Sequence, residues 1–168
     1  MKKKLLIISS LLLLTGCADK LDTSKLTVQQ ASEDQFITFY DAPSLEEAIE
    51  AMPFDITLPT VLPFESSGFK SVGITDIGGK LLNVEAAFMA SSPDNTLLYV
   101  TVDQATREYP DAKPEEIKLS TGHTAFYSSP NNLHVQVGDV SYSFTLNEYN
   151  GEEAQIREEL IKLAEQVK

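Results

Sequence analysis

Apolar and polar residues alternate through the middle of the chain in a way that predicts β-strands. Runs with a period of two are separated there by turn residues such as Gly78-Gly79 and Gly138-Asp139. Because short turns join most neighbouring runs, we expect antiparallel pairing. The predicted strands are residues 36–40, 69–77, 81–89, 96–102, 116–119, 123–127, 133–137 and 140–146.

Two helical patterns flank this region. The first begins at Ser44, where Ser44-Leu45-Glu46-Glu47 fits a capping box, and ends before Pro53. The second occupies residues 152–168, with acidic residues at the positive end of its dipole. Their predicted buried faces are Leu45, Ala48, Ile49 and Met52 in the first helix, and Ile156, Leu160, Leu163, Ala164 and Val167 in the second.

The order of these elements predicts a single α+β domain covering residues 35–168. We expect a curved antiparallel sheet of about six to eight strands, with the short N-terminal helix and the C-terminal helix packed on it. Between the first helix and the sheet, Phe54, Ile56 and Leu58 alternate with polar residues. Pro59 and Pro63 follow directly, and they exclude this segment from the centre of a sheet.

The N-terminus has the layout of a secretory signal. Lys2, Lys3 and Lys4 precede an apolar stretch, residues 5–14, which is too short to span a bilayer as a permanent helix. Leu14-Thr15-Gly16-Cys17 then resembles the lipobox of bacterial lipoproteins. The resemblance implies that residues 1–16 are a signal peptide, that cleavage falls between Gly16 and Cys17, and that Cys17 receives a diacylglycerol. The alternative is a plain secretory signal with an incidental cysteine.

Residues 17–34 begin polar and show no clear period, so we interpret them as the lipidated cysteine and a flexible tether. Cleavage would remove three of the 13 basic residues and none of the 25 acidic ones, leaving a formal charge of −15. This charge argues against nucleic acid as a partner and against a domain lying flat on anionic lipid.

Two further segments carry a resemblance to a known family. The segment "SLEEAIEAMPFDITLPTVLPF", with its turn Pro59-Thr60-Val61-Leu62-Pro63, resembles the opening of a Firmicutes extracytoplasmic domain of unknown function. The segments "HTAFYSSPNNLHVQVGDVSYSFTLN" and "REELIKLAEQV" are similar to the family's ending. The resemblance implies a lipoprotein or a membrane-anchored protein of the anti-sigma type. The family commonly has a Trp before the Gly turn, and this chain contains none.

Candidate catalytic groups are sparse. His123 and His134 lie on neighbouring predicted strands and could face each other, but a metal would need further ligands. A serine hydrolase would need a Ser, a His and a carboxylate with an oxyanion hole, and the chain has no G-x-S-x-G elbow. We therefore predict no metal, no cofactor and no catalytic residues.

The aromatic residues of the predicted strands offer two interpretations. Alternation places Tyr142 and Phe144 on one face of their strand, and Phe126 and Tyr127 on opposite faces of theirs. Packing within the core is one interpretation. The other is an exposed binding face, for which the candidates are Tyr127, His134, Tyr142 and Phe144.

These observations predict a non-enzymatic lipoprotein on the outer face of a Gram-positive cytoplasmic membrane. Its lipid would bind the membrane and its domain would bind a protein or another envelope component, in a role such as envelope signalling or sporulation. The alternatives are a small cell-wall or peptide hydrolase and a carrier of a small apolar ligand. In a Gram-negative cell, Ala18 would permit transfer to the outer membrane.

Overall fold

A computed structural model describes residues 20–32, 36–105 and 114–168. The predicted signal peptide and Cys17 lie outside the described residues. The elements, in chain order, are β1 (Thr27–Ala31), β2 (Ile37–Asp41), α1 (Leu45–Glu50), β3 (Lys70–Ile77), β4 (Val84–Ser91), β5 (Leu97–Asp103), β6 (Glu115–Lys118), β7 (Thr124–Ser128), β8 (Asn132–Val137), β9 (Val140–Asn147) and α2 (Glu153–Ala164).

The strands form one nine-stranded antiparallel sheet in the order β1-β2-β3-β4-β5-β9-β8-β7-β6. Two meanders, β1–β5 and β6–β9, meet where β5 pairs with β9 along their whole length, from Leu97 opposite Asn147 to Asp103 opposite Ser141. The antiparallel sheet and its two helices confirm the prediction in outline. The expected curvature and strand number were wrong: the sheet is not strongly curled, and it has nine strands.

The additional strand is β1, which lies within the stretch that the sequence predicts as a tether. All five residues of β1 are exposed, so they show no alternation of apolar and polar positions. Leu21, a few residues earlier, is only 3% exposed and belongs to the core. The described part of the predicted tether, residues 20–32, is therefore attached to the domain.

Both helices pack on the same face of the sheet, which we call the helix face. Helix α1 contacts β3, and α2 contacts β8 and β9. Phe88, Val100 and Phe144 point to this face and are completely buried. In α2, Leu160 is completely buried and Leu163 is 1% exposed. Burying a side chain of this size contributes about 1.5–3 kcal/mol. The opposite face, which no described helix covers, we call the open face.

Local signals set the ends of the helices. The hydroxyl of Ser44 accepts a hydrogen bond from the Glu47 N–H at 3.2 Å and donates one to the Glu47 carboxylate at 3.2 Å. The predicted cap is thus present, although Glu47 reaches the serine side chain instead of its backbone. At α2, the side-chain oxygen of Gln155 accepts from the Glu152 N–H at 3.0 Å.

The proline-rich segment between α1 and β3 forms neither helix nor strand. Phe54, Ile56 and Leu58 pack against the core from the helix side. This packing explains their alternation, and it agrees with the prediction that Pro59 and Pro63 keep the segment out of the sheet. No helix among the described residues is long and apolar enough to cross a membrane.

Candidate functional site

Three of the four residues proposed for a binding face belong to the core. Tyr142 and Phe144 are 0% exposed and Tyr127 is 5% exposed, all on the helix face. The rings of Tyr142 and Phe144 are stacked, with centroids 6.3 Å apart. Helix α2 covers this side of β8 and β9 and excludes solvent from it. These three side chains are therefore not accessible to a partner, and the core interpretation describes them.

The fourth residue, His134, lies on the open face. Its neighbours across the sheet are Phe126 on β7 and Ser143 on β9. His134 is only 4% exposed, although no described helix covers this face. The four residues therefore lie on two faces of the sheet and do not form one binding surface. His123 precedes β7 and is not opposite His134.

Tyr142 has a structural role. Its phenol oxygen accepts a hydrogen bond from the Thr57 N–H at 3.1 Å, which attaches the proline-rich segment to the sheet. Burial raises the pKa of the Tyr142 phenol, and the nearby Asp55 acts in the same direction, while the bond from Thr57 opposes them. The hydroxyl is thus a neutral bridge in the core.

Tyr127 also has a structural role, in the β7–β8 hairpin. Its hydroxyl donates to the Pro130 carbonyl oxygen at 2.7 Å and approaches the Glu153 carboxylate at 3.4 Å. Burial first, and then the charge of Glu153, raise the pKa of the Tyr127 phenol. These contacts connect the hairpin to the first turn of α2.

The open face brings a carboxylate, hydroxyls and an imidazole onto adjacent strands. Asp103 is opposite Ser141, and His134 is opposite Ser143. In a catalytic triad the imidazole contacts both the serine and the carboxylate. The direct cross-strand neighbours of His134 are Phe126 and Ser143, and Asp103 lies two strands away on β5, so the register does not place this carboxylate beside the imidazole. No group of three or more metal-ligating side chains occurs within the described ranges.

The exposed apolar side chains of the open face form its most distinctive feature. Phe39 on β2 is 43% exposed and Val72 on β3 is 51% exposed. Val72 lies at a bulge, where the register with β4 shifts between Ser71 and Gly73. Half-buried Met89 and Tyr99 are opposite each other on β4 and β5, and they add two large side chains to the same face. We call Phe39, Val72, Met89 and Tyr99 the open-face patch.

The sequence contained a signal for this patch that our prediction of a binding face missed. In β2, Thr38 is buried and Tyr40 is half-buried, whereas Ile37 and Phe39 are exposed. A sheet with a helix layer on one side leaves its other side in water, so a strand that is apolar on both faces indicates a second contact surface. Phe39 and Tyr40 together give β2 this property.

Two open grooves are present among the described residues besides the patch. One, of about 370 Å³, is lined by residues 50–55 together with Lys20 and Asp22. The other, of about 450 Å³, is lined by residues 65–67 and 91–93, four of which are serines. Neither groove contains a histidine.

No protein-family model, no curated protein and no solved structure matches this chain. The resemblance to a Firmicutes extracytoplasmic domain therefore stays a prediction.

Proposed function

We propose that this protein is a non-enzymatic lipoprotein, anchored through Cys17 at the outer face of a cytoplasmic membrane, whose domain binds a protein partner through the open-face patch. The anchor rests on the lipobox-like Leu14-Thr15-Gly16-Cys17 and the signal-like residues before it. The Gram-positive location rests on the family resemblance. The binding function rests on the patch.

The single observation that carries the binding function is the exposure of Phe39 and Val72 on neighbouring strands of the open face. Large apolar side chains gathered on one exposed face commonly mark interaction sites. Aromatic and methionine side chains are also enriched where proteins contact each other. Phe39, Tyr99 and Met89 supply these residue types.

The alternatives have no comparable support. A serine hydrolase of the triad type needs its histidine beside both the nucleophile and the orienting acid, whereas His134 is opposite Ser143 and two strands away from Asp103. A carrier of an apolar ligand needs an apolar cavity. The helix face is instead filled by completely buried side chains, among them Phe88, Tyr142 and Phe144.

Site-specific photocrosslinking tests the proposal. The photoreactive residue p-benzoylphenylalanine is incorporated in place of Phe39 in the intact lipoprotein, which is then irradiated in its native membrane. A matched control carries the same residue in place of Glu158, which is exposed on α2. We expect one recurrent protein adduct from position 39 that is missing from position 158. Lipid or glycan adducts alone, or the same proteins from both positions, would overturn the proposal of a protein partner.

A further inference from the structure

Four exposed apolar side chains cluster at one end of the sheet. They are Phe36 (56% exposed), Ile37 (36%), Ile77 (39%) and Leu82 (43%). Ile37 is directly opposite Ile77, and the Gly78 N–H donates to the Phe36 carbonyl oxygen at 2.6 Å. We call these four residues the apolar rim.

The loop that carries Leu82 is held firmly to the sheet. The Ile77 N–H donates to the Asn83 carbonyl oxygen at 2.9 Å. Within the loop, the Leu81 N–H donates to both carboxylate oxygens of Asp76, at 3.2 and 3.1 Å. Asp76 is only 1% exposed, so this attachment is protected from water. Leu82 is thus displayed from an ordered loop next to Ile77.

The N-terminal segment enters the domain at the same place. The Leu21 N–H donates to the Leu81 carbonyl oxygen at 3.0 Å, and the Asp22 N–H donates to the Ala51 carbonyl oxygen at 2.9 Å. The Leu21 side chain is buried in the core. Leu81, the residue adjacent to exposed Leu82, therefore holds Leu21, which follows Cys17 by four residues.

The length of the connecting chain limits how far this end can move from the membrane. Cys17 precedes Leu21 by four residues, which span at most about 14 Å when extended. A tether from Cys17 to residue 34 would instead span up to roughly 60 Å when extended. The headgroup region adds about 5–8 Å to each side of the hydrocarbon core. An acylated Cys17 would consequently keep Leu21 and the apolar rim within reach of the headgroups.

We propose that the apolar rim is a membrane-contact surface that inserts into the headgroup region of the bilayer. This inference rests on the lipid anchor of the proposed function. Lipid is the molecule that covers the rim, because the four residues from Cys17 to Leu21 are too few to carry this end of the domain away from the membrane that holds Cys17.

The charges near the rim indicate what kind of lipid contact it makes. Lys20 and Lys80 are exposed near the rim, and so is Asp22. Glu33 and Asp34 are close in sequence and lie outside the described residues. Counted along the sequence, these five residues include two basic and three acidic ones, so the segments around the rim have no excess of positive charge, and the mature chain is strongly acidic. Contact depends on apolar burial and on the anchor, and it is expected to be insensitive to the fraction of anionic lipid.

Contact at the rim would also orient the domain. The rim lies at one end of β2 and β3. The strands would therefore extend away from the membrane, and the plane of the sheet would stand upright on the membrane surface. Val72, Met89 and Tyr99 of the open-face patch would then be presented to a neighbouring membrane-anchored protein, whereas Phe39, two residues from Ile37 on β2, would lie nearer the headgroups. Val72 is at the opposite end of β3 from Ile77, five residues and about 17 Å along the strand.

The test uses an environment-sensitive thiol probe on the intact lipoprotein. Leu82→Cys provides a single reactive thiol, because an acylated Cys17 cannot react with the probe. The matched control is Val72→Cys, an exposed apolar residue at the far end of β3. Each labelled protein is reconstituted into vesicles of neutral phosphatidylcholine, with or without 30% phosphatidylglycerol, and with or without brominated acyl chains.

We expect the probe at position 82 to shift to the blue and to be quenched several-fold more by brominated lipid than the probe at position 72, equally in both lipid mixtures. Equal quenching at both positions, or a water-exposed probe at position 82, would overturn the membrane-contact surface. A blue shift without lipid quenching would mean that protein covers the rim, and would also overturn it.

Mass spectrometry of the same samples separates failure of the rim from failure of the anchor. A protein that carries diacylglycerol and floats with the vesicles, but shows no quenching at position 82, refutes the rim alone. A protein without the lipid mass that does not float refutes the anchor, and the argument for the rim fails with it.

Discussion

The side-chain amide of Gln166 forms two hydrogen bonds with the backbone of Val61. Its NH₂ group donates to the Val61 carbonyl oxygen at 2.9 Å, and its oxygen accepts from the Val61 N–H at 2.9 Å. The same oxygen accepts from the Thr60 N–H at 3.1 Å. One side chain after α2 thus holds the turn between Pro59 and Pro63, which has no secondary structure of its own.

Gln166→Ala is therefore expected to lower the free energy of unfolding by about 1–2 kcal/mol. The variant removes three hydrogen bonds to the turn, each with a net contribution of about 0.5–1.5 kcal/mol, and water replaces part of them. The midpoint of urea unfolding measures the change. Gln30→Ala, which truncates an exposed amide on edge strand β1, should change the free energy by less than about 0.5 kcal/mol. Equal effects would show that the turn does not depend on Gln166.

Tyr142→Phe is expected to destabilise the domain by about 1–2 kcal/mol, although it removes only one oxygen atom from the core. The variant removes the acceptor of the Thr57 N–H and leaves that donor without its partner. The matched control is Tyr99→Phe on the open face, where we expect a change below about 0.5 kcal/mol. Thermal and urea unfolding should agree, and a stability of Tyr142→Phe equal to that of the control would contradict the structural role of the hydroxyl.

Stability should fall at alkaline pH. Burial raises the pKa of the Tyr40, Tyr127 and Tyr142 phenols above the ordinary value of 10.0. Above that pH the unfolded chain loses these protons before the folded chain does, so the folded state binds more protons and the free energy of unfolding declines as pH rises. Urea midpoints between pH 8 and 11 measure the slope. Tyr142→Phe should reduce the slope, and an unchanged slope would contradict this origin.

Acid should weaken the attachment of β6 to α2. Hydrogen bonding to Arg157 is the main cause that lowers the pKa of Glu115, and the Arg157 Nε–Glu115 Oε2 distance is 2.9 Å. The stabilisation is present above the unfolded-state value of about 4.5 and is lost as pH falls through the lower value of the folded state. Glu115→Gln should therefore show a shallower loss of stability between pH 5 and 3.

The control for this acid effect is Glu65→Gln, an exposed carboxylate in the loop before β3. Its slope between pH 5 and 3 should match that of the unaltered protein. Because Glu115 and Arg157 are both partly exposed to solvent, the difference should diminish in high salt. Identical slopes for the two variants would exclude the Glu115–Arg157 pair as the source.

The elements that the sequence predicted well are those whose signal is local. Ser44 and Glu47 form the cap that their spacing predicts, and β3 to β9 follow the alternating runs, within a few residues at their ends. The turn at Gly138-Asp139 joins β8 to β9 as expected. Strand β1 was missed because its side chains are all exposed, so its pairing with β2 leaves no trace in the pattern of hydrophobicity.

The candidate binding residues failed for a different reason. Alternation correctly assigned Tyr142 and Phe144 to one face of β9, but it does not specify which face the helices will cover. Once α2 packs on β8 and β9, these rings become core, and Phe39 and Val72 on the other face remain in water. The burial of Leu21 is likewise not visible in the local pattern. The segment is held by backbone hydrogen bonds to Leu81 and Ala51, which lie far along the chain.

The sequence by itself determined the order of strands, turns and helix caps, because these depend on residues close together in the chain. It also determined the acidic charge and the lipobox-like signal. Only the tertiary structure decided that β5 lies beside β9, that Leu21 is buried in the core, and that the loop holding Leu21 also carries Leu82 of the apolar rim. Each of these features joins residues that are distant in sequence, and the free energy that selects them comes from packing and pairing across the sheet, which no local pattern encodes.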